Sequence, residues 1–546
     1  MKKKTMIFSV LLLSLSFTFI SCEKNLDSRN RSNNDKLPEN EAKFLNENLL
    51  AKLSTDYITG DFHQHSTYTD GSWSIGHVMS KNSLYNLKWW VNSEHGGAFN
   101  RDAAVSGKDL GQTILWSSYI PNPIKGKPNG SNMWRWQSIA EYSFVEVLKA
   151  RQLYPSNTII QGLEWNVPGH EHASTGILSN QFLADPNVYP IAEFEYKFDN
   201  SDADNMGGLN NWIKSTNTDH QKTLEAITWM QTYYGKTSWV VPAHPERKNL
   251  YSISDFRDMN NAGPDVCFGF ESMPGHQKAA DRGEYKKSSN TYGNCTYGGT
   301  GLMAAKVGGL WDAMLSEGRK WWLFASSDFH DLGGDFYPGE YQKTYVAANN
   351  SPLSILDGLR SGNAFVVTGD LIDCLNFTIN GNSMGQTAFV KGQNVPIKIY
   401  VHDPSTINNN TYSNYTNPVL DHIDLIAGKL HGKIAKGDPE YSNDDVNSTT
   451  RVVARFDGVG GLKDSNGLVS KKWNELGNGL IMITYLYPNL EGDMYFRLRG
   501  TNQAINVPGE TDDTGNPLAD ELVYPNDGSK AFADLWFYSN PIFVKK

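Results

Sequence analysis

The stretch Gly60-Asp-Phe-His-Gln-His-Ser-Thr-Tyr-Thr-Asp-Gly71 puts Asp61, His63 and His65 at alternating positions. On a β-strand all three side chains leave by one face. Two imidazoles and a carboxylate converging at a strand end suit metal ligation better than core packing. Asp70 and Gly71 follow where the strand turns into a loop. A lone pair of alternating histidines also occurs on polar surface strands, so the surroundings decide. Four later stretches repeat the design of an apolar run closed by ligand-type residues. Residues 87–95 end in Glu94 and His95. Residues 158–164 end in Glu164, with His170 and His172 close behind. Residues 238–244 end in His244, and residues 321–330 end in Asp328 and His330.

Near-continuous apolar runs are the pattern of parallel strands buried on both faces. Ligands at the carboxyl ends of such strands are where α/β folds assemble active sites. Helices are expected between them. Residues 219–234 carry Leu224, Ile227, Met230 and Tyr234 at helical spacing, with Gly235 behind. Residues 302–317 read likewise, and Ser351-Pro352 opens a helix through Arg360 that Gly362 closes. The Gly-, Asn- and Lys-rich stretches 125–132 and 278–300 are expected as loops over the mouth of the site.

The order Asp61-x-His63-x-His65, Asp70-Gly71, Glu94-His95, Glu164, His170/His172, His244-Pro245, Asp328-x-His330 resembles the PHP (polymerase and histidinol phosphatase) superfamily over residues 56–370. The phrases Gly269–His276 and Ser361–Gly369 resemble the branch that contains carbaryl-hydrolase-type proteins. The resemblance implies an α/β fold, a distorted (β/α)7-type barrel holding two or three divalent transition metals. Zinc, manganese and iron all suit mixed imidazole and carboxylate shells. Carried over by position, His63, His65, Glu164 and Asp328 hold the first metal. Glu164 bridges to a second, bound by His244 and a histidine of residues 169–172, while Asp70, His95 and His330 hold the third. His170 and His172 share strand parity; His172 is the expected ligand and His170 a ligand or substrate contact. Asp61 is expected to orient a ligand imidazole. Glu271 and His276 are candidates to line the site. Asp61, Glu164, Arg247 and Asp328 are the residues expected to act in catalysis, and Arg247, Lys248 and Arg282 the cations expected to grip a phosphate. The implied reaction is hydrolysis of a small-molecule or glycan-linked phosphoester by a metal-activated hydroxide. Ester, amide or carbamate hydrolysis at the same site is the alternative within the enzyme class. A surface glycan-binding lipoprotein with an inert barrel is the alternative outside it.

The 546 residues exceed one typical core, so more than one domain is expected. A net charge of −10 argues against nucleic acid as a partner. Residues 1–21 read as a secretory signal: Lys2, Lys3 and Lys4, then an apolar run to Ile20 shorter than the ~20 residues that span a bilayer. Phe19-Ile-Ser-Cys22 resembles a lipobox, which implies a lipidated Cys22, a flexible tether over 22–50 and a periplasmic or cell-surface lipoprotein. Replacing Cys22 with Ser is then expected to release the protein from the membrane fraction; retention there would rule out the anchor. The hydrolase domain is expected over 51–370. Beyond it the texture changes to alternating strands such as Val395–Val401 and Met494–Arg499 separated by Asn-rich turns, notably 406–417, and a β-sandwich-like domain is expected over 371–546. The acidic loop Glu510–Gly515 is a solvated turn or, less readily, a calcium loop. Besides Cys22 the chain has Cys267, Cys295 and Cys374, an odd number with no zinc-ribbon spacing.

Overall fold

Strand β1 (Tyr57–Asp61) carries the first histidines past its end, and the other site-bearing strands are arranged around it. The structure, a computed structural model, describes residues 48–50, 52–53, 56–285, 295–404, 418–520 and 528–546. The signal stretch, Cys22, most of the tether, the Asn-rich turn 406–417 and residues 286–294 lie outside them.

The apolar runs form strands: β2 (Trp89–Asn92), β3 (Thr158–Asn166), β4 (His172–Ile177), β5 (Ser238–Pro242), β6 (Gly269–Met273) and β7 (Trp322–Ala325). Every residue of β2, β5, β6 and β7 is buried, as strands covered on both faces require. The strands β1, β2 and β3 run parallel, and β6 pairs with β7 in parallel. Strand β4 is the exception: it lies antiparallel between β3 and β5. Single parallel bridges, Ala243 with Glu271 and Gln64 with Phe329, join β5 to β6 and the end of β7 to the end of β1. Phe62 points away from the histidines into an aromatic core, its ring edge-on to Trp89 and Phe324 at 5.2 Å each.

Helices cover the strands where the periodicity places them. Residues Ile75–Leu84 (α1) start on a Ser74 cap whose hydroxyl accepts from the His77 amide. Phe144–Leu153 (α2), Tyr189–Phe198 (α3), Asp219–Tyr234 (α4) and Ile253–Ala262 (α5) follow. The helix expected over 302–317 is broken into Leu302–Ala305 and Leu310–Ser316 (α6), because Gly308 takes φ +78° and donates its amide to Asp312. Pro352–Ser361 (α7) stops at Gly362, φ +79°.

Strand β1 also pairs antiparallel with β8 (Gln342–Ala347), which pairs with β9 (Ala364–Thr368). Strand β9 continues through Trp536–Ser539 to Met494–Thr501, His422–Lys429 and Arg451–Asp457. A second sheet centred on Cys374–Ile379, Val395–His402 and Leu480–Tyr487 packs against this arm through Phe377, Ile399, Leu425 and Phe496. The fold is thus mixed α/β, with the described residues from 48 on in one compact unit. Among the described residues no helix is long and apolar enough to cross a membrane.

Candidate metal centre

The ligand-type residues collect just beyond the carboxyl ends of the strands. Hydrogen bonding along β1 stops at Asp61, and His63 and His65 follow in an extension held by the Gln64–Phe329 bridge. His95 follows β2, Glu164 lies near the end of β3, His172 opens β4, and His244 and Asp328 follow β5 and β7. Glu164 is fixed by its backbone: its amide donates to the Glu94 carbonyl and its carbonyl accepts from Gly96, both at 3.0 Å.

Glu164 is the hub. Its Oε1 lies 2.8 Å from His172 Nδ1 and 3.1 Å from His244 Nε2, while Oε2 lies 3.1 Å from both His63 Nε2 and His65 Nε2 and 2.9 Å from His95 Nδ1. Asp328 Oδ1 stands 3.1 Å from His63 Nε2 and 3.3 Å from His65 Nε2. Asp70 reaches His95 and His330, each at 3.3 Å. The atoms fall into overlapping groups, each within 4.8 Å: His63, His65, Glu164 and Asp328; His65, Asp70, His95 and His330; His95, Glu164 and His172; Glu171, His172 and His244.

Seven buried atoms of this set have no hydrogen-bond partner: His63 Nε2, His65 Nε2, His95 Nδ1, His172 Nδ1, His244 Nδ1, Glu164 Oε2 and Asp328 Oδ1. Buried polar atoms are normally satisfied, so this group of orphans, six of them around Glu164 and Asp328 and the His244 Nδ1 toward Glu171, fits divalent cations. The electrostatics agree. Burial alone would raise Glu164 and Asp328, but the imidazoles beside them, His63 foremost, outweigh it and hold both carboxyls well below their usual range. Burial would lower His63, yet Asp328, Glu164 and Glu271 raise it well above an ordinary imidazole. Burial, joined by the Arg247 charge, pushes His244 down to about 3.

Four expectations are corrected. His170 is not in this cluster: it sits in the turn before β4 rather than on the strand, so the parity that linked it to His172 does not apply. Its Nδ1 donates to the Leu250 carbonyl at 2.7 Å and its Nε2 faces His220. Asp61 orients no imidazole. Its carboxylate accepts the backbone amides of His63 (2.8 Å) and Ser327 (2.9 Å) and so ties the end of β1 to that of β7, while burial raises it to about 7. The imidazole-orienting task falls to Glu271, whose Oε1 lies 3.2 Å from His63 Nδ1. Arg282 is buried elsewhere, donating to Asp534 at 2.7 Å and to the Tyr341 hydroxyl at 2.6 Å. The stretch 125–132 does not line the cavity either; Lys127 is held by Asp204 and Trp134.

His276 belongs to the site more firmly than its sequence signal suggests. Its Nε2 is 3.0 Å from Asp328 Oδ2 and its Nδ1 is 2.5 Å from Asp335. Gly275 allows the approach: a Cβ there would meet the Ser327 carbonyl at 2.1 Å. His244, His276 and Asp328 all take positive φ, at 34°, 55° and 45°. Such backbone strain gathers where surrounding structure over-determines a functional geometry.

The cluster floors an open cavity of 530 Å³ lined by thirteen described residues, all ionisable except Gly334. Arg247 stands at its edge, 3.1 Å from Glu171 and 3.5 Å from Asp328 Oδ2, with the more exposed Lys248 also on Glu171 at 3.0 Å. No family model and no curated protein matches the chain. Several solved structures resemble it distantly. One of them is a two-domain protein of Bacteroides vulgatus containing a predicted PHP-like metal-dependent phosphoesterase, matched at 12% identity and a TM-score of 0.32 over 86% of this chain and 94% of that one. A likeness this distant carries no argument about activity, and the site stands on its own geometry.

Proposed function

We propose that the protein is a metal-dependent hydrolase of phosphoester bonds, of PHP type, on a distorted seven-stranded barrel with an appended β-sandwich. The observation that carries this is the cavity lining. Six carboxylates (Asp70, Glu164, Glu284, Asp328, Asp331, Asp335) face two cations, Arg247 and Lys248, a formal −4 before the imidazoles take up protons or metal ions. Neighbouring carboxylates raise His95, His276 and His330 above an ordinary imidazole. An anionic substrate is repelled from such a cavity unless two or three divalent ions compensate it, and the orphaned ligand atoms are placed to hold them. Bound ions of this kind acidify water and neutralise charge on a transferring phosphoryl group.

The protein's own groups do the rest. Glu164 holds imidazoles from four chain segments at fixed separations, and Glu271 orients His63. Arg247, braced by Glu171 and Asp328, presents its guanidinium to the cavity, where a phosphate oxygen would bind it. Among the described lining residues there is no aromatic or aliphatic wall, which disfavours an aryl carbamate or another apolar ester.

The test is elemental analysis followed by a substrate panel. Purified protein should hold at least two transition-metal ions per chain, and it should turn over phosphomonoesters or phosphodiesters faster than carboxyl or carbamate esters. Arg247→Ala should slow phosphoester turnover by about 10²-fold, the usual effect of removing one donor to a developing oxyanion, and spare a carboxyl ester. Less than one metal per chain, or equal losses on both substrate classes, would overturn the reading.

A further inference from the structure

His170 and His220 form a pair outside the cavity, and their hydrogen bonds leave the pair short of a cation. His170 lies in the turn between β3 and β4, and His220 in the first turn of α4. His170 Nδ1 faces the Leu250 carbonyl at 2.7 Å, and a carbonyl only accepts. His220 Nε2 faces Asp258 Oδ2 at 3.3 Å. Asp258 is itself held by Lys436, at 2.9 Å, and by the Tyr441 hydroxyl, at 2.8 Å, so it too only accepts. These partners favour the tautomer of each imidazole that carries its N–H on the outer side. The inner atoms, His170 Nε2 and His220 Nδ1, are then both lone pairs, and they stand 2.8 Å apart. With both outer N–H bonds kept, two lone pairs meet at that distance, and a cation, a proton or a metal ion, is what would join them.

Asp255, in the first turn of α5, supplies a third ligand atom. Its Oδ1 is 3.7 Å from His220 Nδ1, while its Oδ2 accepts from the Ser252 amide in the helix cap. His170, His220 and Asp255 each offer one atom within 4.8 Å of the others, and all three are partly exposed. The outer hydrogen bonds to a carbonyl and a carboxylate are those that fix the tautomers of metal-bound imidazoles. His170 is further held flat against Tyr251, the ring planes 7° apart. Zinc–nitrogen bonds of about 2.0–2.1 Å in a tetrahedron set two ligand nitrogens about 3.3 Å apart, so the pair has to open by only about half an ångström.

We propose that His170, His220 and Asp255 form a separate mononuclear site for a divalent transition cation of the zinc class, its fourth position open to solvent. The site clips the turn that leads into His172 to the first turns of α4 and α5. It is independent of the cavity and of the reaction proposed there.

Cobalt(II) reports on it directly. With His63→Ala and His65→Ala in the cavity, titrated cobalt should give, beside any ion still held by His95, His172 and His244, the visible band of one tetrahedral ion per chain at this site. His220→Ala and, separately, His170→Ala should abolish that band. In otherwise native protein each should also lower the zinc content by one per chain. Asp255→Asn keeps an acceptor for the helix cap, so it should stay folded and weaken cobalt at least tenfold. Circular dichroism checks folding of each variant. An unchanged metal count and band in folded His220→Ala and His170→Ala would overturn the site. So would nitrogen NMR of metal-saturated protein showing a proton shared between the two imidazoles, since a proton would then be the missing cation.

Discussion

Glu164→Gln should lower kcat/KM by about 10³-fold or more, on the scale of other single deletions at multi-metal and acyl-transfer centres. Glutamine fills the same volume, so the loss is chemical rather than steric. Glu164 Oε1 meets two imidazoles and Oε2 meets three, all at 2.8–3.1 Å. The amide replaces one of these lone-pair oxygens with an N–H2 donor and removes the negative charge from the centre of five rings. Both sets of ligands are then disturbed at once. By contrast, Lys248 is exposed and pairs with Glu171, so Lys248→Ala should cost less than tenfold. Steady-state kinetics with parallel elemental analysis checks both. Near-normal turnover of a folded Glu164→Gln protein with a full metal complement would end the shared-ligand reading.

Asp312→Ala should destabilise the fold by about 3–5 kcal/mol, the cost of stranding a buried charge. Asp312 and Arg497 are both fully buried. The guanidinium makes two parallel bonds to the carboxylate, at 2.8 and 2.7 Å. Asp312 also accepts from the Tyr495 hydroxyl at 3.1 Å and from the Gly308 amide at 2.7 Å. Arg497 further stacks on Trp311 at 4.6 Å. The pair fastens α6, beside the site-bearing strands, to strand Met494–Thr501. Urea unfolding should show the drop. The double substitution Asp312→Leu, Arg497→Met should recover much of it, because neither partner is then left charged and alone. A shift below about 1 kcal/mol for Asp312→Ala would mean that water reaches Arg497.

The site was legible in the sequence where a residue's address is set by a strand. His63, His65, His95, Glu164, His244 and Asp328 each close an apolar run, so the buried strands deliver them to one place. His276 was fainter because a loop delivers it, through the close pass that Gly275 permits, and no periodicity marks such a loop. The pairing of His170 with His172 failed for a related reason. Parity holds only inside a strand, and β4 starts two residues later, after Gly169 turns the chain at φ +82°. Asp61 failed differently: its alternation with the histidines was read correctly, but its carboxylate was taken up by backbone amides, which side-chain patterns do not record. The antiparallel insertion of β4 was likewise invisible, since a strand buried on both faces looks alike in either direction. Helix 302–317 shows the converse error, in which side-chain spacing outweighed the Gly308-Gly309 break.

The pairing of β9 with Trp536–Ser539 has a consequence for synthesis. One edge of β9 is covered by β8, made just before it; the other waits for a strand 167 residues further along the chain. Asn540 in the same late segment accepts from the Leu323 amide of β7 at 2.8 Å. At 5–20 residues per second, the apolar edge Ala-Phe-Val-Val stays open for roughly 8–35 s on the ribosome. Exposed strand edges of that kind recruit other chains. That edge closes only once the last segment of the chain is in place, so removal of residues 536–546 would leave it open.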